Sequence, residues 1–169
     1  EGALQLQITV GGPDSDGRRP VAVHSRGDQE GDVWNRHAIG TVVAAVPGGP
    51  EPDLASWPPA CAEPQPVEDL YDRLADRGYG YGPAFQGLKA AWRSGEDLYA
   101  EVRLSVDPEG FALHPAVFDA ALHALLLEES AELRLPFSFG GVQLTGVRTG
   151  TLRVKLSPGP DGTVAVGIA

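Results

Sequence analysis

The 169-residue sequence contains no methionine and only one cysteine, Cys61. A single cysteine cannot form an internal disulfide, and the residues around Cys61 lack the spacing of a metal site. We therefore predict no metal and interpret Cys61 as a free thiol of a cytoplasmic protein. Because Met is absent, Glu1 is not a translation start, and we expect the chain to be part of a longer protein.

Positive charge and long apolar runs are also scarce. The chain has 13 Lys and Arg against 23 Asp and Glu, a formal net charge of −10. This balance argues against a nucleic-acid partner, which is bound by basic residues that neutralise phosphates. No run approaches the roughly 18 apolar residues of a membrane span, and the first residues lack the pattern of a signal peptide. We therefore expect no membrane partner.

Turn-forming residues are abundant, with 22 Gly and 15 Pro, and they favour strands joined by turns. Residues 3–10 alternate apolar and polar side chains, which predicts a half-buried strand with one apolar face. Two further β-rich runs, at 20–26 and 33–46, follow dense turn signals. Together these runs predict an antiparallel meander, whose first apolar face comprises Leu4, Leu6, Ile8 and Val10.

A proline-rich segment at 47–66 predicts a linker, because proline removes backbone donors and fixes φ. Leu54 and Trp57 are its expected anchors. Residues 67–79 have the apolar spacing of a helix of about three turns, with Gly78 as its C-terminal stop.

The remaining chain alternates β runs with one long helix. Residues 84–105 predict two strands around a turn, and residues 114–129 predict a helix with Pro115 in its first turn. Three more β runs, at 135–147, 151–157 and 163–169, complete the sequence. The order of these elements predicts an α+β architecture.

Asp119 and His123 are four residues apart on this long helix, so their side chains lie on one face and a hydrogen bond between them is easy. Apolar residues cover most of the remaining circumference. A carboxyl group in such surroundings keeps its proton more readily, which suits a general acid. An exposed pair on a solvated helix face is the alternative that this segment leaves open.

The segment RGYGYGPAFQGL, residues 77–88, places glycines between aromatic residues and predicts a shaped loop. The Gly-Pro step disfavours helix at Gly82. Its glycines match neither the phosphate-binding loop nor the dinucleotide fingerprint. Taken alone, the segment is more typical of a generic turn into a strand.

In combination, the segments GYGYGPAFQGL, LHPAVFDAALHAL and LPFSFGGVQL resemble, in order, three signatures of the dehydratase domain of modular polyketide synthases. The resemblance extends over nearly the whole chain. It implies a double hotdog, in which each antiparallel sheet wraps around a long helix. Residues 1–46 would then be the last strands of an incomplete first hotdog, 47–66 the linker, and 67–169 a second hotdog lacking its last strand.

The resemblance further implies dehydration of a β-hydroxyacyl chain on an acyl carrier protein, with no bound cofactor, because the carrier's phosphopantetheine holds the substrate. Asp119 would protonate the departing hydroxyl, and His123 would orient Asp119. Tyr81 would hydrogen-bond near the acid, while Phe139 stands where a tryptophan is often seen. The other residues expected to bind the substrate are Gly82, Pro83, Phe85, Leu135, Pro136 and Phe137.

The family's base lies in a motif H-x-x-x-G-x-x-x-x-P, and no histidine of this chain matches it. The positions four residues after His24, His37, His114 and His123 hold Asp28, Thr41, Phe118 and Leu127. We expect the base-bearing histidine on an upstream dehydratase segment, so this chain alone should be inactive. Neighbouring synthase domains and a homodimer are the other expected partners.

The sequence leaves three alternatives open. The chain could be a non-catalytic, degenerate dehydratase that serves as a scaffold or docking domain. It could belong to a double-bond isomerase or cyclase on the same fold. A free-standing β-rich ligand-binding protein is the third.

Overall fold

The computed structural model describes residues 3–29, 31–45, 54–105, 110–127, 135–144, 146 and 150–169. These residues form two compact units, one within residues 1–49 and the other within 50–169. No helix of the described residues is long and apolar enough to cross a membrane.

The N-terminal unit is a three-stranded antiparallel sheet. Its strands are β1 (Leu4–Val10), β2 (Arg19–Gly27) and β3 (Asn35–Val42), in the order β1-β2-β3. The turn between β1 and β2 is closed by the Asp14 carboxylate, which accepts hydrogen bonds from the backbone N–H groups of Asp16 and Arg18. The predicted meander is confirmed.

The predicted burial of β1 is wrong for this chain. Leu4 and Ile8 are 74% and 61% exposed. Alternation of apolar and polar residues predicts which face of a strand would be buried, but burial also requires another element that packs on that face. In the described part of the N-terminal unit no helix or second sheet does so.

The C-terminal unit contains a five-stranded antiparallel sheet with strand order β4-β5-β6-β7-β8. Its first strand, β4, lies inside the segment predicted as a linker, where Pro64 is tolerated because β4 is an edge strand. The bounds of the five strands are Glu63–Gln65, Leu88–Ser94, Asp97–Arg103, Thr151–Pro158 and Val164–Ile168.

Leu54 and Trp57 anchor the proline-rich segment to this sheet, as predicted. Leu54 is buried, and its carbonyl oxygen accepts a 2.9 Å hydrogen bond from the Arg153 guanidinium. The indole N–H of Trp57 donates to the Glu101 carboxylate, and the Trp57 ring contacts the ring of Trp92 edge-on. Side-chain contacts thus hold the proline-rich segment in place, where the backbone makes few strand-to-strand hydrogen bonds.

The first helix, α1 (Leu70–Asp76), is two turns long rather than the predicted three, because the preceding residues form a turn in which Leu70 N–H bonds the Val67 carbonyl. Gly78 ends it as predicted, with a φ of 95°. The N–H groups of Gly78 and Tyr79 bond the Ala75 and Leu74 carbonyls, the pairing of a Schellman motif.

The second helix, α2 (Pro115–Leu122), packs against β6 and continues as a 3-10 turn, His123–Leu126. His114 caps its N-terminus, since His114 Nδ1 accepts from Ala116 N–H at 3.1 Å. Small side chains on its buried face allow a close approach to the sheet; these are Ala116, Ala120 and Ala121, followed by Ala124 in the 3-10 turn.

The strand predicted at 135–147 is wrong, because residues 135–144 and 146 adopt no regular structure. Pro136 offers no backbone donor to a ladder. Gly140 and Gly141 also interrupt the extended backbone, because Gly141 has a φ of 61°, which a β-strand does not allow.

Gly87 is the point where the chain entering β5 meets α2. A Cβ at Gly87 would lie 2.7 Å from the Ala120 Cβ and 3.3 Å from the Arg103 carbonyl oxygen. We predict that Gly87→Ala lowers the free energy of unfolding by about 1–3 kcal/mol, because α2 and backbone must shift to accept the methyl group. Urea denaturation measures this change.

Gly80→Ala is the matched control, because a Cβ at Gly80 meets nothing within 4 Å. Its free energy of unfolding should not fall. Equal losses in the two variants would contradict the role assigned to the contact between Gly87 and Ala120.

Candidate active site

Asp119 lies in the last turn of α2, and His123 begins the 3-10 turn that follows it. His123 Nε2 is 3.2 Å from Asp119 Oδ2, so the predicted hydrogen bond is present. The His123 side chain is 1% exposed and that of Asp119 is 34% exposed. The pair does not lie on a solvated face, because its imidazole is in the core and its carboxyl group is at the rim.

Tyr71 of α1 is a third member of this cluster, and it was not among the site residues expected from the sequence. Its hydroxyl group lies 3.1 Å from His123 Nδ1 and accepts a 2.9 Å hydrogen bond from Leu88 N–H. A tyrosine on a buried helix face was the available signal, since a buried phenol usually needs a polar partner.

Tyr81 contacts the pair through its ring. The ring centroids of Tyr81 and His123 are 4.2 Å apart, and Tyr81 stacks on Tyr79 at 6.0 Å. Among the described residues, the hydroxyl group bonded to His123 is that of Tyr71. A hydrogen bond from Tyr81 near the acid therefore stays a prediction.

Burial governs the protonation of this cluster. It raises the pKa of Tyr71 and of Tyr81 to about 12, with the Asp119 charge acting in the same direction. Both phenols thus keep their protons across the physiological range. Burial also lowers the pKa of His123, although the neighbouring Asp119 opposes this shift. The imidazole is accordingly held neutral.

The glycine-aromatic loop lies beside α2. Gly82 is extended, with a φ of −69° and ψ of 162°, and Pro83–Phe85 form a 3-10 turn in contact with α2. Ser105 Oγ donates to the Pro83 carbonyl at 3.1 Å, and Phe85 is 40% exposed. The structure therefore brings Tyr81, Gly82, Pro83 and Phe85 close to the helix that bears Asp119.

The residues of the third motif are less closely connected to the pair. Leu135 and Phe137 are 69% and 100% exposed, and Pro136 between them is also exposed. Phe139 reaches α2, where its ring centroid is 5.4 Å from that of Phe118, the neighbour of Asp119. Within the described residues, Phe139 thus supplies the aromatic contact from this segment to α2.

Two of the other histidines have hydrogen-bond partners in the structure. His114 caps α2 through Nδ1, which agrees with its interpretation as a helix-start residue. His37 Nε2 lies 2.6 Å from Ser25 Oγ in the sheet of the N-terminal unit. No group of three or more His, Cys, Asp or Glu side chains in the described ranges is placed to hold a metal ion.

The fold and the cluster together define a class of protein. In this class an antiparallel sheet packs against a helix, and the helix presents a partly exposed carboxyl group, Asp119, that is hydrogen-bonded to a buried imidazole, His123. A family profile described as polyketide synthase dehydratase N-terminal domain matches residues 49–159. The polyketide synthase GfsE of Streptomyces halstedii is 46% identical over 182 residues, which cover 99% of this chain and 5% of that synthase.

Solved structures agree with this match. One, reported as structural insights into dehydratase substrate selection for the borrelidin and fluvirucin polyketide synthases, has a TM-score of 0.91 and 43% identity, covering 100% of this chain and 62% of that chain. A bifunctional dehydratase-cyclase domain in ambruticin biosynthesis has a TM-score of 0.84 and 37% identity, covering 99% and 63%. The chain belongs to the polyketide synthase dehydratase family, and its fold is that of the double hotdog.

The lowered pKa of His123 predicts how stability depends on pH. Below the unfolded value of about 6.5, the unfolded chain binds a proton that the folded protein resists. The stability contributed by neutral His123 is therefore complete above about pH 6.5 and is lost as the pH falls through the lowered folded pKa. Urea unfolding between about pH 8 and pH 5.5 measures this loss.

His123→Gln is the comparison variant, because glutamine can still donate to Asp119 but does not titrate. The other three histidines are present in both proteins and cancel in the comparison. The pH dependence should be shallower for His123→Gln. Parallel curves for the two proteins would show that His123 does not carry the effect.

Proposed function

We propose that this chain supplies the general acid for dehydration of a β-hydroxyacyl thioester to an α,β-enoyl thioester. The observation that carries the proposal is the hydrogen bond between Asp119 and His123, with the imidazole buried and the carboxyl group a third exposed. A general acid must reach its substrate and must also be held in one orientation. This pair meets both requirements.

In the proposed elimination, two protons move and one C–O bond breaks. A base removes the proton from the α-carbon, and the electrons of that C–H bond form the new double bond. The bond from the β-carbon to oxygen breaks as Asp119 gives its proton to the leaving hydroxyl group, which departs as water. Asp119 remains as a carboxylate and accepts the hydrogen bond from His123 Nε2.

We propose that the base comes from a histidine on an upstream dehydratase segment. Neither His114 nor His123 suits the role, because His114 caps α2 and both ring nitrogens of His123 have partners. An α-proton of a thioester needs a positioned acceptor. The chain without that segment would accordingly be inactive.

The substrate would be held on the phosphopantetheine of an acyl carrier protein, so that no cofactor of the dehydratase is needed. The backbone at Gly82 and Pro83 and the side chains of Tyr81 and Phe85 would line the acyl chain beside α2. Leu135, Pro136 and Phe137 would contribute from the later segment, where their exposure leaves them free to meet a ligand. Neighbouring synthase domains and a second copy of the domain are the other proposed partners.

Cyclisation is a second candidate, favoured by the similarity to the bifunctional dehydratase-cyclase domain. On the same site, a hydroxyl oxygen of the same acyl chain would add to the β-carbon of the enoyl product. Its O–H proton would pass to the base, and the electrons of the double bond would take up a proton at the α-carbon. Product analysis with a substrate that carries such a hydroxyl group separates the two activities. A non-catalytic scaffold would give neither product.

Asp119→Asn tests the proposal in the dehydratase region that joins this chain to its upstream segment. A β-hydroxyacyl N-acetylcysteamine thioester serves as substrate, and enoyl product is followed by chromatography. We expect turnover to fall by about 10²–10⁴-fold, because asparagine keeps the shape of the side chain but cannot give up a proton in this way.

Asp76→Asn is the matched control, since Asp76 is an exposed aspartate on α1 away from the cluster. It should retain full turnover. Equal turnover by Asp119→Asn and the unmodified protein would overturn the assignment of Asp119.

A further inference from the structure

The hydrogen bonds around His123 form a continuous chain of four groups. Leu88 N–H donates to the Tyr71 hydroxyl oxygen at 2.9 Å, Tyr71 lies 3.1 Å from His123 Nδ1, and His123 Nε2 lies 3.2 Å from Asp119 Oδ2. The chain begins at a backbone amide of β5, which can only donate. That end fixes the direction of the first bond, and the next two depend on which acceptors remain for the hydroxyl proton and the imidazole proton.

The Tyr71 oxygen already accepts from Leu88, so its own proton is available to donate, and His123 Nδ1 is the acceptor within reach. A neutral imidazole has one donor and one acceptor nitrogen. With Nδ1 accepting, the imidazole proton is on Nε2. His123 is therefore the donor, and Asp119 Oδ2 the acceptor, in the bond between them.

This direction matters most when Asp119 is protonated. An ionised carboxylate can only accept, so it requires an N–H at Nε2 whatever Tyr71 does. A protonated carboxyl group could instead turn its O–H toward His123 and donate its proton to Nε2, where it would not reach the leaving hydroxyl group of the substrate. The bond from Tyr71 to Nδ1 prevents this by keeping Nε2 protonated.

We propose that Tyr71 is a positioning residue that fixes the tautomer of His123 and thereby assigns the transferable proton of Asp119 to Oδ1. The inference rests on the proposed role of Asp119 as general acid. Oδ2 is occupied as an acceptor, and Oδ1 is left to deliver the proton to the substrate.

Tyr81 complements this arrangement without replacing it. Its ring lies 4.2 Å from the His123 ring between centroids and restricts the tilt of the imidazole. Within the described residues, titratable groups contact His123 from α1, from the loop after it and from α2; these are Tyr71, Tyr81 and Asp119. Of the three, Tyr71 supplies the donor to Nδ1.

The tautomer is tested directly by nitrogen NMR of the imidazole in Asp119→Asn, whose neutral amide mimics the protonated acid. With Tyr71 present, we expect Nε2 protonated and Nδ1 unprotonated. Adding Tyr71→Phe should produce a population with Nδ1 protonated. Protonation at Nδ1 in Asp119→Asn with Tyr71 intact would overturn the proposal.

The effect on turnover is tested in the protein with its upstream segment, where Tyr71→Phe should lower kcat by about 10–100-fold. This is the loss seen when a partner that orients a metal-bound histidine is removed. KM should change little, because the Tyr71 hydroxyl group is engaged by Leu88 and His123. Tyr99→Phe is the control, since it removes a phenol hydroxyl outside the cluster.

A double-mutant cycle separates positioning from a structural role. If Tyr71 acts through His123, Tyr71→Phe should have little further effect on kcat once His123→Leu has removed the imidazole. An equal loss in both backgrounds would mean that Tyr71 only supports the fold. The NMR result does not depend on turnover, so failure of the proposed acid role and failure of the tautomer assignment give different results.

Discussion

The burial of one imidazole, that of His123, is the constraint on which the candidate site depends. A buried ring with two nitrogen atoms is costly unless both are hydrogen-bonded. Here one partner comes from α1 and the other from α2, and the α1 partner is itself held by β5. Three elements must therefore be in place together before His123 can be buried. The site is a consequence of packing as much as of the residues that carry the chemistry.

The separation of four residues between Asp119 and His123 explains their difference in exposure. Four residues turn an α-helix by about 400°, so the two side chains are offset by about 40° around its axis. On a helix packed tightly against a sheet through Ala116, Ala120 and Gly87, that offset places His123 in the core and Asp119 at the rim. An orienting residue is thus shielded from water while the residue that it orients remains accessible.

Local patterns in the sequence predicted contacts between residues that are close in the chain. They predicted burial and long-range pairing less well. Helical spacing predicted the bond between Asp119 and His123, and Gly78 predicted the end of α1, because both depend on residues close in the chain. The burial of β1 and the strand at 135–147 were wrong, because each depends on what packs or pairs with the segment. Tyr71 was missed as a site residue for the same reason, since its partners lie 17 and 52 residues away.

In the proposed reaction, one hydrogen bond serves two states of Asp119. Before proton transfer, the bond from His123 Nε2 occupies Oδ2 and directs the acidic proton to the other oxygen. After transfer the same donor faces a carboxylate, and a hydrogen bond to a charged acceptor is stronger than one to a neutral acceptor. The site therefore stabilises the developing charge more than the starting acid, which is the requirement for an interaction to accelerate a reaction. Tyr71 contributes to this stabilisation through His123. By donating to Nδ1, it keeps the imidazole proton on Nε2, the nitrogen that faces the developing carboxylate of Asp119.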